Sequence, residues 1–250
     1  METLLSSVSD RGVATLTFNR PDRANSYDAA MLDALADGFE RFGRDNAVRV
    51  VVLRGAGKHF SAGAAIGEGG RPRLAIGEVC SLIDGLPKST VAVVQGACIG
   101  GALALASCCD VIVASREASF SVPEVRLGFA PGPLIGFFAR AMGYRALRRY
   151  LLSGERFSAE EAHRIGLVQE LCDAQALETA ADELIDALLL GAPGAAARAK
   201  SVLQKQAAAL SLNELRDLQK AFESMAASSE AAEGRAAFKE KRKPSWYPKR

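Results

Sequence analysis

The chain has 250 residues, 49% of them hydrophobic and 24% charged, enough for one large α/β domain or two small ones with a core that needs no disulfides. A balance of 31 basic against 29 acidic residues, +2 in all, marks neither a nucleic-acid binder nor a membrane-surface protein. Five cysteines (Cys80, Cys98, Cys108, Cys109, Cys172) without C-x-x-C spacing read as reduced thiols, METLLSSVSDRG reads as no secretory leader, and no run approaches 18 apolar residues; the expected place is the cytoplasm, with no membrane span.

GVATLTF (12–18) predicts a strand. SYDAAMLDALADGFERFG (26–43) predicts an amphipathic helix with Met31, Leu32, Leu35, Phe39 and Phe42 on one face and Ser26 as its N-cap. VRVVVLR (48–54) is continuously apolar, as in a strand buried on both faces. Then comes SAGAAIGEGG (61–70), rich in small residues, among them Ser61, Ala62, Gly63, Ala64, Ala65 and Gly67, where that strand region ends. Such residues suit an ordinary turn, and they also leave N–H groups bare for a ligand to approach closely. TVAVVQG (90–96) and DVIVAS (110–115) predict two more strands, separated by a small-residue helix in IGGALALASC. Strand, crossover helix, strand implies parallel pairing and an α/β architecture.

Beyond about residue 130 the pattern turns mostly helical. FSAEEAHRIGLV opens with a capping box, Ser158 and Glu161, and closes on Gly166. From Gly194 to Lys241 nearly every residue favours helix. We therefore divide the chain into a core, 1–193, and a C-terminal helical region, 194–250, whose Ala- and Leu-rich faces call for burial between subunits.

The chain has two histidines, His59 and His163, both read as structural, and no metal-ligand spacing; G-x-S-x-G is absent. What remains is backbone chemistry. SAGAAIG and QGACIGGALALA each place a glycine-containing turn at a strand's carboxyl end, where open α/β sheets bind ligands. The N–H groups of Ala64 and Gly101 are suited to hold a developing oxyanion, at about 3 kcal/mol per donor, with Gly101 also near a helix N-terminus.

HFSAGAAI, QGACIGGALALASCCDVIVAS, FSVPEVRLGFAPG, GERFSAEEAHRIGLV and FKEKRKPSW, in this order, resemble the successive signatures of the crotonase superfamily, the enoyl-CoA hydratases and isomerases. The resemblance covers essentially the whole chain. It implies a crotonase-like spiral of ββα turns with a C-terminal helical trimerisation region, and homotrimers or hexamers. It also implies acyl-CoA thioester substrates, with coenzyme A part of the substrate rather than a separate cofactor. By position Ala64 and Gly101 match the oxyanion hole, and Glu124 matches a catalytic carboxylate. Arg23 matches a CoA-phosphate contact, Ala62 and Ile66 line the CoA channel, and Phe238 and Lys241 approach the adenine end.

Two positions depart from the hydratase pattern. The first of the two hydratase glutamates is Ala104 here, and the Asp that usually follows the first turn is Ala65. A single carboxylate can still remove a proton from one carbon and return it to another. The sequence thus points to Δ3,Δ2-enoyl-CoA isomerase chemistry with Glu124 as sole acid/base. The alternative is a hydratase or hydratase-lyase of a branched or carboxylated enoyl-CoA. Decarboxylation, thioester hydrolysis and a non-catalytic CoA-binding scaffold stand behind these two.

Overall fold

The computed structural model describes residues 2–65, 70–206, 212–242 and 245. Strand β1 (Leu4–Val8), not foreseen from the sequence, pairs antiparallel with β2 (Val13–Phe18). Helix α1 (Ala29–Arg44) then leads to β3 (Val50–Gly55), α2 (Ile76–Asp84), β4 (Ser89–Val94) and β5 (Ala97–Ile99). Helix α3 (Gly101–Ser107) connects β5 to β6 (Val111–Ser115), and β7 (Ser119–Ser121) follows. The larger sheet runs β1-β2-β3-β4-β6 and is closed by β9 (Glu170–Cys172); from β2 onward every pairing is parallel. The smaller sheet joins β5, β7 and β8 (Phe157–Ser158).

The continuous apolar strands are explained by burial on both faces. Val51, Leu53, Ala92 and Val94 point to the main core with Leu35, Phe39 and Leu103 of the helices. The alternate set, Val50, Val52, Val91, Val93 and Val113, packs on α7 (Leu177–Leu189) through Leu177, Ala181 and Ile185. Those three recur every four residues and so form one stripe of that helix. Each fully buried Leu or Ile adds about 1.5–3 kcal/mol.

Two expected caps are corrected. Helix α1 is capped by Asp28, whose side chain accepts from the Met31 N–H at 2.9 Å, and not by Ser26. The helix cannot start earlier because Asn25 is left-handed (φ 55°) and Tyr27 is held as a bridge to Ala64. Ser158 does cap α6 (Ala159–Arg164), but the Glu161 carboxylate accepts from Arg164 and Tyr150 instead of closing the capping box.

Helices α4 (Ile135–Met142) and α5 (Tyr144–Ser153) precede β8, and α8 (Pro193–Gln206), α9 (Leu212–Ala226) and α10 (Ser229–Lys239) end the chain. The last two return to the core. On α9, Leu215 is buried and approaches Gly77 of α2, Leu218 lies against Gly132, and Phe222 meets Phe129 edge-on at 5.1 Å. Among the described residues no helix is long and apolar enough to cross a membrane.

Candidate active site

Two backbone bridges bring the glycine turns together. Ser61 pairs with Cys98: its N–H donates to Ala97 C=O (3.0 Å) and its C=O accepts from Ile99 N–H (3.1 Å). Tyr27 pairs with Ala64 in the same way, donating to Gly63 C=O (3.0 Å) and accepting from Ala65 N–H (2.8 Å). A parallel bridge of this kind uses the neighbours of Ala64, so the N–H of Ala64 itself faces away from Tyr27. Gly63 stands at φ 91°, and a Cβ there would meet Ile99 O at 2.8 Å and lie 3.9 Å from Gly101 N. The first turn thus lies directly against the second. Among the described residues neither the Ala64 nor the Gly101 N–H has an acceptor.

Buried polar groups fix this arrangement. Asn25 donates to Ala56 O (2.8 Å) and His59 O (2.7 Å) while accepting from Arg20 N–H (2.9 Å). Ser61 Oγ donates to Asn25 O at 2.7 Å and accepts from Gly63 N–H at 3.2 Å. His59 Nδ1 accepts from Ala97 N–H at 3.0 Å, a structural role. Satisfied networks of this kind hold a loop in one conformation.

Glu124 begins a short 3₁₀ turn, Glu124–Leu127, after Pro123. Its side chain turns inward: Oε1 lies 2.8 Å from where a Cβ on Gly100 would stand, and Oε2 is buried with no hydrogen-bond partner. Gly100 has φ 57° and ψ −127°, a region that suits glycine alone. Burial raises the Glu124 carboxyl from 4.5 to about 7, against a smaller lowering by a backbone N–H. A carboxyl near neutrality can both take and give a proton. One helical turn beyond Gly101, Ala104 is fully buried in the main core.

The 3₁₀ turn is braced by α10. A Cβ on Gly234 would come within 2.5 Å of the Leu127 carbonyl carbon, and one on Gly128 would meet Ala231 N at 2.7 Å. Sequence reading gave no hint of this contact, because Gly128 and Gly234 lie far apart in the chain and Gly234 sits in an Ala-rich helical pattern.

The remaining expected residues lie around this centre. Ala62 N–H donates to Ala24 O at 2.9 Å, which places Ala62 beside the turn bearing the exposed Arg23. Phe238 and Lys241 are exposed at and just beyond the end of α10, and Ile66 lies outside the described residues. Tyr27 was missed altogether. Its ring is buried, and its Oη stands 1.9 Å from where a Cβ on Gly101 would be, a contact no local pattern signals.

Residues 9–249 match the family model for enoyl-CoA hydratase/isomerase. The chain is 31% identical over 258 residues to the 2,3-dehydroadipyl-CoA hydratase of Escherichia coli strain K12, covering 98% of this chain and 99% of that one. It is 30% identical over 269 residues to the 1,2-epoxyphenylacetyl-CoA isomerase of the same organism, across the full length of both. Among solved structures, an enoyl-CoA hydratase from Mycobacterium avium subsp. paratuberculosis K-10 superposes with a TM-score of 0.88 at 32% identity, covering 95% of this chain and 99% of that one. From its sequence signatures to its backbone, the chain belongs to the enoyl-CoA hydratase/isomerase family.

Proposed function

We propose that the protein moves the double bond of an enoyl-CoA thioester, with Glu124 as the single acid/base. The observation that carries this reading is the Glu124 carboxyl, desolvated, poised near pH 7 and packed on Gly100, while the other hydratase carboxylate position holds the buried Ala104. Glu124 takes a proton from C2 of a 3-enoyl thioester. The C2–H electron pair forms a C1=C2 bond and the carbonyl π pair moves to the oxygen; when the oxygen re-forms the carbonyl, the C1=C2 pair becomes C2=C3 and the C3=C4 pair takes the proton back at C4. Between these events the charge rests on the thioester oxygen, and the Ala64 and Gly101 N–H groups stabilise it by about 3 kcal/mol each. Arg23, Ala62, Ile66, Phe238 and Lys241 hold the CoA portion, and the subunits assemble as trimers or hexamers.

Hydration is the second reading, favoured by the named hydratase among the relatives. It requires Glu124 and one further group to orient a water. Incubation with 3-enoyl- and 2-enoyl-CoA, read by mass spectrometry and NMR, separates the two. Isomerisation gives a product of unchanged mass with the double bond moved, whereas hydration adds one water. Hydration as the main reaction would overturn the first reading.

A further inference from the structure

The proton-transfer scheme leaves one group in the site unused, the Tyr27 hydroxyl. Its Oη stands 1.9 Å, and its Cζ 3.1 Å, from the place a Cβ on Gly101 would occupy. Standard bond lengths then bring Oη within about 3.4 Å of Gly101 Cα and about 4.4 Å of Gly101 N. Two donors that close can share one acceptor at ordinary hydrogen-bond lengths. The backbone of the same tyrosine holds Gly63 and Ala65 on either side of Ala64. Tyr27 therefore joins both glycine turns, one through its main chain and the other through its side chain.

Among the described residues nothing hydrogen-bonds this hydroxyl. Its surroundings also fix what it can do. Burial, with the nearby Cys80 and Glu124 side chains, pushes the phenol far above its ordinary range, so it stays protonated and acts as a donor.

We propose that the Tyr27 hydroxyl is a third hydrogen-bond donor to the thioester oxygen of the acyl-CoA, beside the N–H groups of Ala64 and Gly101. This rests on the acyl-CoA reading of the site. This also accounts for glycine at position 101: a methyl group there would displace the hydroxyl from the oxygen it serves.

The test is the absorption of a bound aryl-acryloyl-CoA, a conjugated thioester whose band moves to the red as its carbonyl is polarised. Wild type and Glu124→Gln should both give the red shift, since polarisation needs no base. Tyr27→Phe keeps the ring, and it should bind the thioester with a smaller red shift and turn over about 10²-fold more slowly, the scale of one lost oxyanion donor. Placing 3-fluorotyrosine at position 27 keeps ring and hydroxyl while making the donor more acidic, and should enlarge the shift. A Tyr27→Phe protein with the full shift and full turnover overturns the proposal, as does a fluorotyrosine protein with an unchanged shift. If the wild type binds the thioester with no shift at all, the acyl-CoA reading of the two turns fails, and this proposal with it.

Discussion

Replacing Glu124 by Gln should change how stability depends on pH, by an amount the burial of this carboxyl sets. Its carboxyl ionises at about 7 in the folded chain against 4.5 for the same group in water. A folded-state value raised in this way gives stability that is fully present below 4.5 and is lost as pH rises through about 7. The displacement is worth about 3 kcal/mol. Gln cannot titrate, so the difference in unfolding free energy between wild type and variant should move by about 3 kcal/mol in the variant's favour from pH 4.5 to pH 8. The amide has its own cost of about 1–3 kcal/mol, because Oε2 has no partner and neither will the new NH₂ group, but that cost is the same at every pH and cancels. Carboxyls held low by their partners also cancel, as Glu161 is by Arg164 and Tyr150 and Glu233 by Arg242. Unfolding of both proteins across this range, at one fixed protein concentration, is the assay. In thermal form, the gap between the two midpoints should change by roughly 6–12 °C. Parallel curves would show that Glu124 ionises normally and that the site is not desolvated.

Three shorter predictions accompany this one. Glu124→Gln should lower turnover by about 10²–10⁴ with acyl-CoA affinity kept, and wild-type kcat/KM should rise through about pH 7 as the base form appears; full turnover in the variant contradicts the mechanism. Gly234→Ala forces a Cβ toward the Leu127 backbone, so it should cost about 1–3 kcal/mol in stability and lower kcat by moving Glu124; unchanged kcat would separate α10 from the site. Sedimentation should give a trimer or hexamer, since Leu190 (90% exposed) and Leu203 (67% exposed) present large apolar side chains to solvent on the C-terminal part of the chain; a stable monomer at micromolar concentration contradicts this.

The parallel core was legible because its signal is local. Strands β3, β4 and β6 announce themselves as unbroken apolar runs, and the helix between β5 and β6 by its small residues. Strand β1 was not, because four of its five residues are exposed and LLSSV carries no alternation that separates it from a loop. The cap of α1 was misplaced for a different reason. Ser26 is a good capping residue, but the bridge from Tyr27 to Ala64 holds the chain extended for two more residues, and that partner lies 37 positions away. In the site, Gly63, Gly101 and Glu124 stood out as turn residues and a motif. Tyr27 reads from sequence as a helix-start aromatic. Only its reach to Gly101 gives it chemistry, and a reach across the fold leaves no mark on spacing.

The energetics of Glu124 bear on whether the site is catalytic or a relic scaffold. At neutral pH its burial costs about 3 kcal/mol, a large share of the 5–15 kcal/mol by which an ordinary domain is stable. A binding scaffold gains nothing from that cost, since a leucine would fill the same space with no buried polar group. The structure even braces the turn that carries this carboxyl: Gly128 and Gly234 let α10 close onto it at backbone contact, and Phe222 of α9 covers Phe129 beside it. The last two helices are therefore part of the support of the site. They hold in place the turn that keeps the carboxyl out of water.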